Sequence, residues 1–310
     1  MKRLSFFSKL AFLISLFCTH FPVLGQYKNS QYVDIEGIKI HYRIWEANHE
    51  QAKKGKVLMI HGFCGSTFCW RKNIDTLTNS GYTVVAVDLP PFGHSDKRSG
   101  INHSISAQAE LMGVFMDFFD ATHLQDTSQW VLVGHSMGAA VSGAILSNTP
   151  ENIRACVLVD GLVLRPMKEP NFWRKALASP TAYRFGELAG KFYFFKPKKI
   201  HKLLITFQGQ IPEKEVVEGY LSNLNAKGTA GGILEMSASS EKFAYSEQDI
   251  KIPMLIIWGE KDVVIPIENA EKFRPKVPHA EYVKITGAGH CSMETHSKEV
   301  NAAIMKFLGQ

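Results

Sequence analysis

Repeats and low-complexity blocks are missing from this 310-residue chain, and so is a strong charge of either sign. With 45% apolar and 21% charged residues, it has an ordinary globular composition, which excludes a disordered or fibrous protein. Its formal charge is +6, and it falls to +3 once residues 1–25, with Lys2, Arg3 and Lys9 and no acid, are set aside. So mild an excess does not argue for nucleic acid as a partner. Cysteine is scarce, at five residues, and none of the spacings resembles a zinc site. The twelve histidines are scattered, so no metal is expected. The N-terminal apolar run LAFLISLF is short of the roughly 20 residues that a spanning helix needs.

That same run completes a different pattern. Basic MKRLSFFSK precedes it, and VLG places small or branched residues just before Gln26. This is the layout of a secretory signal peptide over residues 1–25, so export to a periplasm or the medium is expected. The alternative is an uncleaved N-terminal membrane anchor. A lipoprotein signal is opposed by bulky Phe17 before Cys18. Export would leave Cys64, Cys69, Cys156 and Cys291, an even number that permits disulfides among Cys64, Cys69 and Cys291. A domain this large does not require them, and Cys156 lies in an apolar run that reads as a buried strand. Small buried thiols are the favoured reading.

After the leader, QYVDIEGIKIHYRIWE alternates around Glu36-Gly37 and reads as a β-hairpin. KVLMIHG, TVVAVDLP, WVLVGHS, ACVLVDG and MLIIWGE are short continuous apolar runs, as in strands buried on both faces. YVKITG is a sixth candidate. Between them lie helical patterns such as SAQAELMGVFMDFFDA, where Ala107, Leu111, Val114, Phe115 and Phe118 form one stripe. This alternation predicts a mostly parallel sheet with helices on both faces.

The alternation breaks once, over residues 161–250. Three segments there look helical, 167–178, 180–208 and 212–225, which predicts a cap inserted between core segments 26–160 and 251–310. From Arg165 to Lys202 there are ten Lys or Arg against Glu169 and Glu187, interleaved with aromatics that include Phe172, Trp173, Phe185 and Phe192. One reading is a helical cap whose cations snorkel around an aromatic core. The other adds docking on anionic lipid surfaces or acidic substrates.

Residues 134–138 read GHSMG, between the apolar run WVLV and the small-residue run AAVSGAIL. A serine at such a strand-to-helix corner is a nucleophile elbow, strained so that Oγ projects clear of the sheet. Glycine is needed two residues to either side, because a side chain there would meet the neighbouring strand or helix. An activated serine still requires a base, an acid and an oxyanion hole.

With HGFCGSTFCW at 61–70, DLPPFGHSD at 88–96, WGEKDVVIP at 258–266 and GAGHCSMET at 287–295, the chain resembles the α/β-hydrolase superfamily. The likeness is to its lidded members with an HGF-type oxyanion loop. The resemblance covers almost the whole mature chain and implies an eight-stranded, mostly parallel sheet with an inserted helical lid. It also implies Ser136 as nucleophile, His290 as base and Asp262 as the acid that orients His290, in the chain order of this fold. Asp160, at the end of another strand, is the rival acid, otherwise expected to tie down the start of the lid. Glu260 is expected to hydrogen-bond within its loop. The backbone N–H groups of Phe63 and Met137 would form the oxyanion hole. His61, His94 and His135 are read as structural, and no cofactor is implied.

A serine at position 136 excludes the aspartate-elbow epoxide hydrolases and haloalkane dehalogenases, and the G-G-S-W-G elbow usual in related aminopeptidases is absent. The aromatic cap favours an apolar acyl group. An exported serine ester hydrolase, carboxylesterase- or lipase-like, is therefore expected, acting on a small-molecule ester through an acyl-enzyme. A C–C bond hydrolase for diketone-type substrates is the alternative. A non-catalytic binding module is opposed by the retention of Ser, Asp and His in order.

Overall fold

Short apolar runs become the strands of a single sheet in the computed structural model, which describes residues 27, 29–48, 53–123, 128–148, 150–161, 179–238 and 250–309. The expected leader 1–25 and the expected helix 167–178 lie outside these residues. Strands β1 (Ser30–Ile35) and β2 (Ile38–Trp45) form the hairpin. Glu36 and Gly37 turn it with φ of 52° and 78°, and the Gly37 N–H donates to Asp34 Oδ1 at 2.8 Å. Then come β3 (Gly55–Ile60), β4 (Tyr82–Val87), β5 (Trp130–His135), β6 (Ile153–Val159), β7 (Met254–Gly259) and β8 (Glu281–Ile285). Their order across the sheet is β1-β2-β4-β3-β5-β6-β7-β8. Only the β1–β2 and β2–β4 pairs are antiparallel.

Every residue of β3, β4, β5 and β7 is buried, the reason those stretches are apolar without alternation. Leu58 and Ile60 enter one layer with helices α2 (Ile105–Thr122) and α3 (Met137–Asn148). Val57 and Met59 enter the other with α1 (Ile74–Asn79) and, near the C-terminus, α10 (Ser297–Phe307). The face of α2 differs from the stripe expected for it. Leu111 and Phe115 of that stripe are buried, together with Gln108, Ala109, Met112, Met116 and Phe119, whereas Val114 is exposed and Ala107 and Phe118 are half-buried. The amide nitrogen of this buried group is paired, since Gln108 Nε2 donates to Pro90 O at 2.5 Å. That bond lets a face with a glutamine in it turn inward.

Between β6 and β7 the described chain is helical. It forms α4 (Pro180–Ala189), a π-turn (Gly190–Phe194), α5 (Pro197–Gln208), α6 (Lys214–Leu224) and α7 (Thr229–Ala238). The single helix expected over 180–208 is two. Pro197 drives Lys196 to extended backbone, ψ 146°, and a new helix starts from it. Helix α7 was not expected, since its Gly231-Gly232 pair lowers helix propensity. Gly232 lies against Pro91, where a Cβ would stand 2.4 Å from the ring. After β7 come α8 (Glu268–Phe273) and the short α9 (Ser292–Thr295) ahead of α10.

Candidate active site

The corner between β5 and α3 holds Ser136 at φ 51°, in the left-handed region that a serine seldom occupies. Its N–H donates to Val159 O at 3.0 Å on the neighbouring strand, which pins the corner to the sheet. The flanking glycines are required by space. A Cβ at Gly134 would stand 2.4 Å from Gly138 O, and one at Gly138 would stand 2.1 Å from Ile60 O. Backbone strain and close approach together keep the Ser136 hydroxyl at the carboxyl end of the sheet.

Two loops from neighbouring strands meet it there. The loop after β8 brings His290 Nε2 to 2.9 Å from Ser136 Oγ. The loop after β7 brings Asp262 Oδ2 to 2.8 Å from His290 Nδ1. Asp262 Oδ1 accepts from the N–H groups of Val264 and Ile265 at 2.8 and 2.9 Å, so both its oxygens are engaged and the carboxyl is held in place toward His290. With a carboxylate opposite Nδ1, that nitrogen carries the proton and Nε2 is left to accept from the serine hydroxyl. Asp262 and His290 are buried.

Asp160 takes a different part. It is fully buried, and it accepts from Gly259 N at 2.8 Å and from Ser292 N and Oγ at 2.8 and 2.6 Å. It thus ties the end of β7 to the residues just beyond His290, and the start of the lid, which it was expected to tie down, lies outside the described residues from 162 on. Burial pushes its carboxyl up to about 7, against the pull of the Ser292 and Gly259 donors. Glu260 accepts within its loop from Lys284 Nζ at 3.0 Å and Gly287 N at 3.1 Å.

The three other histidines of the motifs hold loops. His61 Nε2 accepts from Leu89 N at 2.9 Å while Nδ1 donates to Gly62 O at 2.7 Å. His94 packs its ring edge-on against His41, 5.0 Å between centroids. His135 reaches further than expected: its Nε2–H donates to the carbonyl of His290 at 2.8 Å. Burial, with the His290 ring beside it, holds His135 near 3, so it stays neutral and that donor geometry persists.

A cleft opens over the serine, lined in part by Phe63, Ser136, Phe207, Tyr220, Val264 and His290. Phe63 and Met137 are the next residues after Gly62 and Ser136, and of the two Phe63 lines the cleft. Phe207 and Tyr220 come from α5 and α6, and sequence reasoning missed both. The signal for Tyr220 was present: with Val216 and Leu224 it forms an i, i+4 stripe on one helix face, a hydroxyl amid apolar side chains. That hydroxyl donates to Glu294 Oε1 at 2.7 Å, and Glu294 Oε2 accepts from Arg71 Nη1 at 2.5 Å.

All four described cysteines are buried free thiols, and no disulfide joins Cys64, Cys69 or Cys291. Burial pushes the Cys64 and Cys69 thiols up to about 12, away from thiolate chemistry. Among the described residues, no three His, Cys, Asp or Glu side chains converge as metal ligands.

Residues 56–297 match the family model of the α/β-hydrolase fold. The chain belongs to that family, and it is a hydrolase of the α/β fold. It is 24% identical over 298 residues to a 2-hydroxy-6-oxononadienedioate/2-hydroxy-6-oxononatrienedioate hydrolase of Paraburkholderia phymatum, covering 91% of this chain and 96% of that one. It is 26% identical over 253 residues to Lipase 3 of a Moraxella species, with 80% and 75% covered. Among solved structures, a thermophilic esterase from Thermogutta terrifontis superimposes with a TM-score of 0.68 at 21% identity, over 90% of this chain and 97% of the other.

Proposed function

We propose that the protein is a serine ester hydrolase, carboxylesterase- or lipase-like, exported after loss of residues 1–25. The observation that carries this reading is the relay from Ser136 Oγ through His290 to Asp262, at 2.9 and 2.8 Å, beneath a cleft walled by Phe63 and Phe207. In the proposed reaction, Ser136 Oγ attacks the ester carbonyl as His290 Nε2 takes its proton. The Phe63 and Met137 N–H groups receive the oxyanion. Collapse of that intermediate breaks the acyl C–O bond, and His290 returns the proton to the departing alcohol. Water, deprotonated in turn by His290, then attacks the acyl carbon and releases the acid and the free serine. Asp262 remains a carboxylate and steadies the imidazolium each time it forms.

The Paraburkholderia relative supports a second reading, cleavage of a C–C bond in a keto acid. Its substrate, by name, is a dianion, which calls for cationic side chains. Among the described residues that line the cleft there is no Lys or Arg. The described lining therefore favours a neutral ester with an apolar acyl group.

The experiment is hydrolysis of p-nitrophenyl esters of increasing acyl length, with Ser136→Ala alongside. Turnover with an optimum in acyl length is expected. The variant should keep the native melting temperature and lose at least about 10³-fold in kcat. A folded Ser136→Ala protein with near-normal turnover would overturn the reading. Release of product from a diketone, with none from any ester, would replace it with C–C cleavage.

A further inference from the structure

Helix α4 turns the opposite side inward from most surface helices. Its inner side carries Tyr183, Gly186 and Glu187, continued by Gly190 in the π-turn. The Tyr183 hydroxyl donates to Lys97 O. Both oxygens of Glu187 accept from backbone N–H groups around the start of α7, Gly228 and Gly231, each at 2.7 Å. At Gly190 a Cβ would stand 2.3 Å from that of Ala230, so this side sits as close to α7 as a helix can. No residue of α4 is buried. Phe185, Leu188 and Phe192, spaced i, i+3 and i+7 and so on one face, are 70%, 59% and 64% exposed.

The sequence here is rich in cations. Between Pro180 and Ile211 it has Arg184, Lys191, Lys196, Lys198, Lys199 and Lys202 against Glu187 alone, and Glu187 is turned inward and bonded. Lys196, Lys198 and Lys199 are exposed. Lys199 Nζ lies 4.2 Å from the Tyr193 ring, itself exposed. The apolar surface also runs toward the cleft, because Phe207 at the end of α5 lines it and Ile211 just beyond is exposed. Among the described residues, eight of the eleven exposed large apolar side chains lie either between Phe185 and Ile211 or in the cleft lining, as Phe63 and Val264.

We propose that α4 and the turn after it dock the protein peripherally on an anionic phospholipid surface. Phe185, Leu188 and Phe192 enter the boundary between headgroups and acyl chains, with Lys196, Lys198 and Lys199 among the phosphates. Charge chooses this occupant. A second copy of the chain would bring the exposed Lys196, Lys198 and Lys199 against the same cations, whereas an anionic headgroup layer neutralises them and offers the aromatics an apolar floor. Among the described residues no helix is long and apolar enough to cross a membrane, so the contact is a surface one. None of the residues changed in its test takes part in the ester reading, so the proposal stands or falls apart from it.

The test is co-sedimentation of the purified protein with vesicles of pure phosphatidylcholine, or of phosphatidylcholine with about one-third phosphatidylglycerol. Phe185→Ser/Leu188→Ser/Phe192→Ser and Lys196→Glu/Lys198→Glu/Lys199→Glu variants with the same N-terminus are run in parallel, so any contribution from the leader cancels. The wild type is expected to bind anionic vesicles at least about 10-fold more tightly than neutral ones, less so in high salt. Each variant should weaken that binding at least about 10-fold, with an unchanged melting temperature. Equal binding by wild type and both variants, or no preference for anionic vesicles, would overturn the proposal. So would a wild-type dimer that the serine variant dissolves, without vesicle binding, and the face would then be assigned to a second copy.

Discussion

The carboxyl end of the sheet and helix α4 dispose of polar and apolar atoms in opposite ways. Around Ser136, carboxylates and histidines are buried, and each has named partners: Asp262 with His290, Asp160 with Ser292, His135 with the His290 carbonyl. In α4 a carboxylate faces inward and the large apolar rings face out. In the first region each of these bonds offsets the burial of a polar group and ties a loop to the end of the sheet. An exposed apolar face is stable only because the opposite face is satisfied, and it leaves surface for something outside the chain.

The comparison can be broken first at the two strand-end acids. Asp262→Asn is expected to lower kcat on an ester by about 10²- to 10⁴-fold, because Asn cannot stabilise the imidazolium, with little change in stability. Asp160→Asn should do the reverse. It replaces a carboxylate that serves three donors with an amide that must turn an NH₂ toward one of its neighbours. A loss of about 1–3 kcal/mol in urea unfolding is expected, with kcat within tenfold of wild type. If Asp160→Asn were the crippling change in steady-state kinetics, the acid would be misassigned.

Acidity tests the buried side further. Burial lowers His103 to about 4, below its ordinary value. The folded protein therefore keeps this imidazole neutral where the unfolded chain protonates it. Unfolding takes up a proton in that window, so stability is full above about pH 6.5 and falls as the pH drops toward 4, by about 3 kcal/mol for this one group. Urea titrations near pH 7 and near pH 4.5 should show His103→Phe losing less stability on acidification than the wild type. Equal losses would mean that other groups carry the effect.

The smallest effect belongs to the join between the carboxyl end of the sheet and helix α6. Tyr220→Phe keeps the ring in the cleft but removes the hydroxyl that links α6 to Glu294. A cost of about 1–2 kcal/mol in unfolding is expected, since Glu294 keeps Arg71, with KM for a short ester nearly unchanged. A large rise in KM would instead make the hydroxyl a substrate contact.

Much of this molecule could be read along the chain. Continuous apolar runs announce strands buried on both faces, and glycines at 134 and 138 announce a corner too tight for side chains. Strand-end loops carry Ser136, Asp262 and His290 in an order that the fold brings to one place. Those signals are local, because each depends on a few neighbouring residues and on the sheet they enter. The face that α2 buries, the break at Pro197, the inward Glu187 of α4, the partner of Asp160 and the Tyr220–Glu294–Arg71 link could not be read that way. Periodicity sets the angle between side chains on a helix but not which side meets the protein. That choice depends on what stands opposite: the Pro90 carbonyl for Gln108, the N–H groups of Gly228 and Gly231 for Glu187.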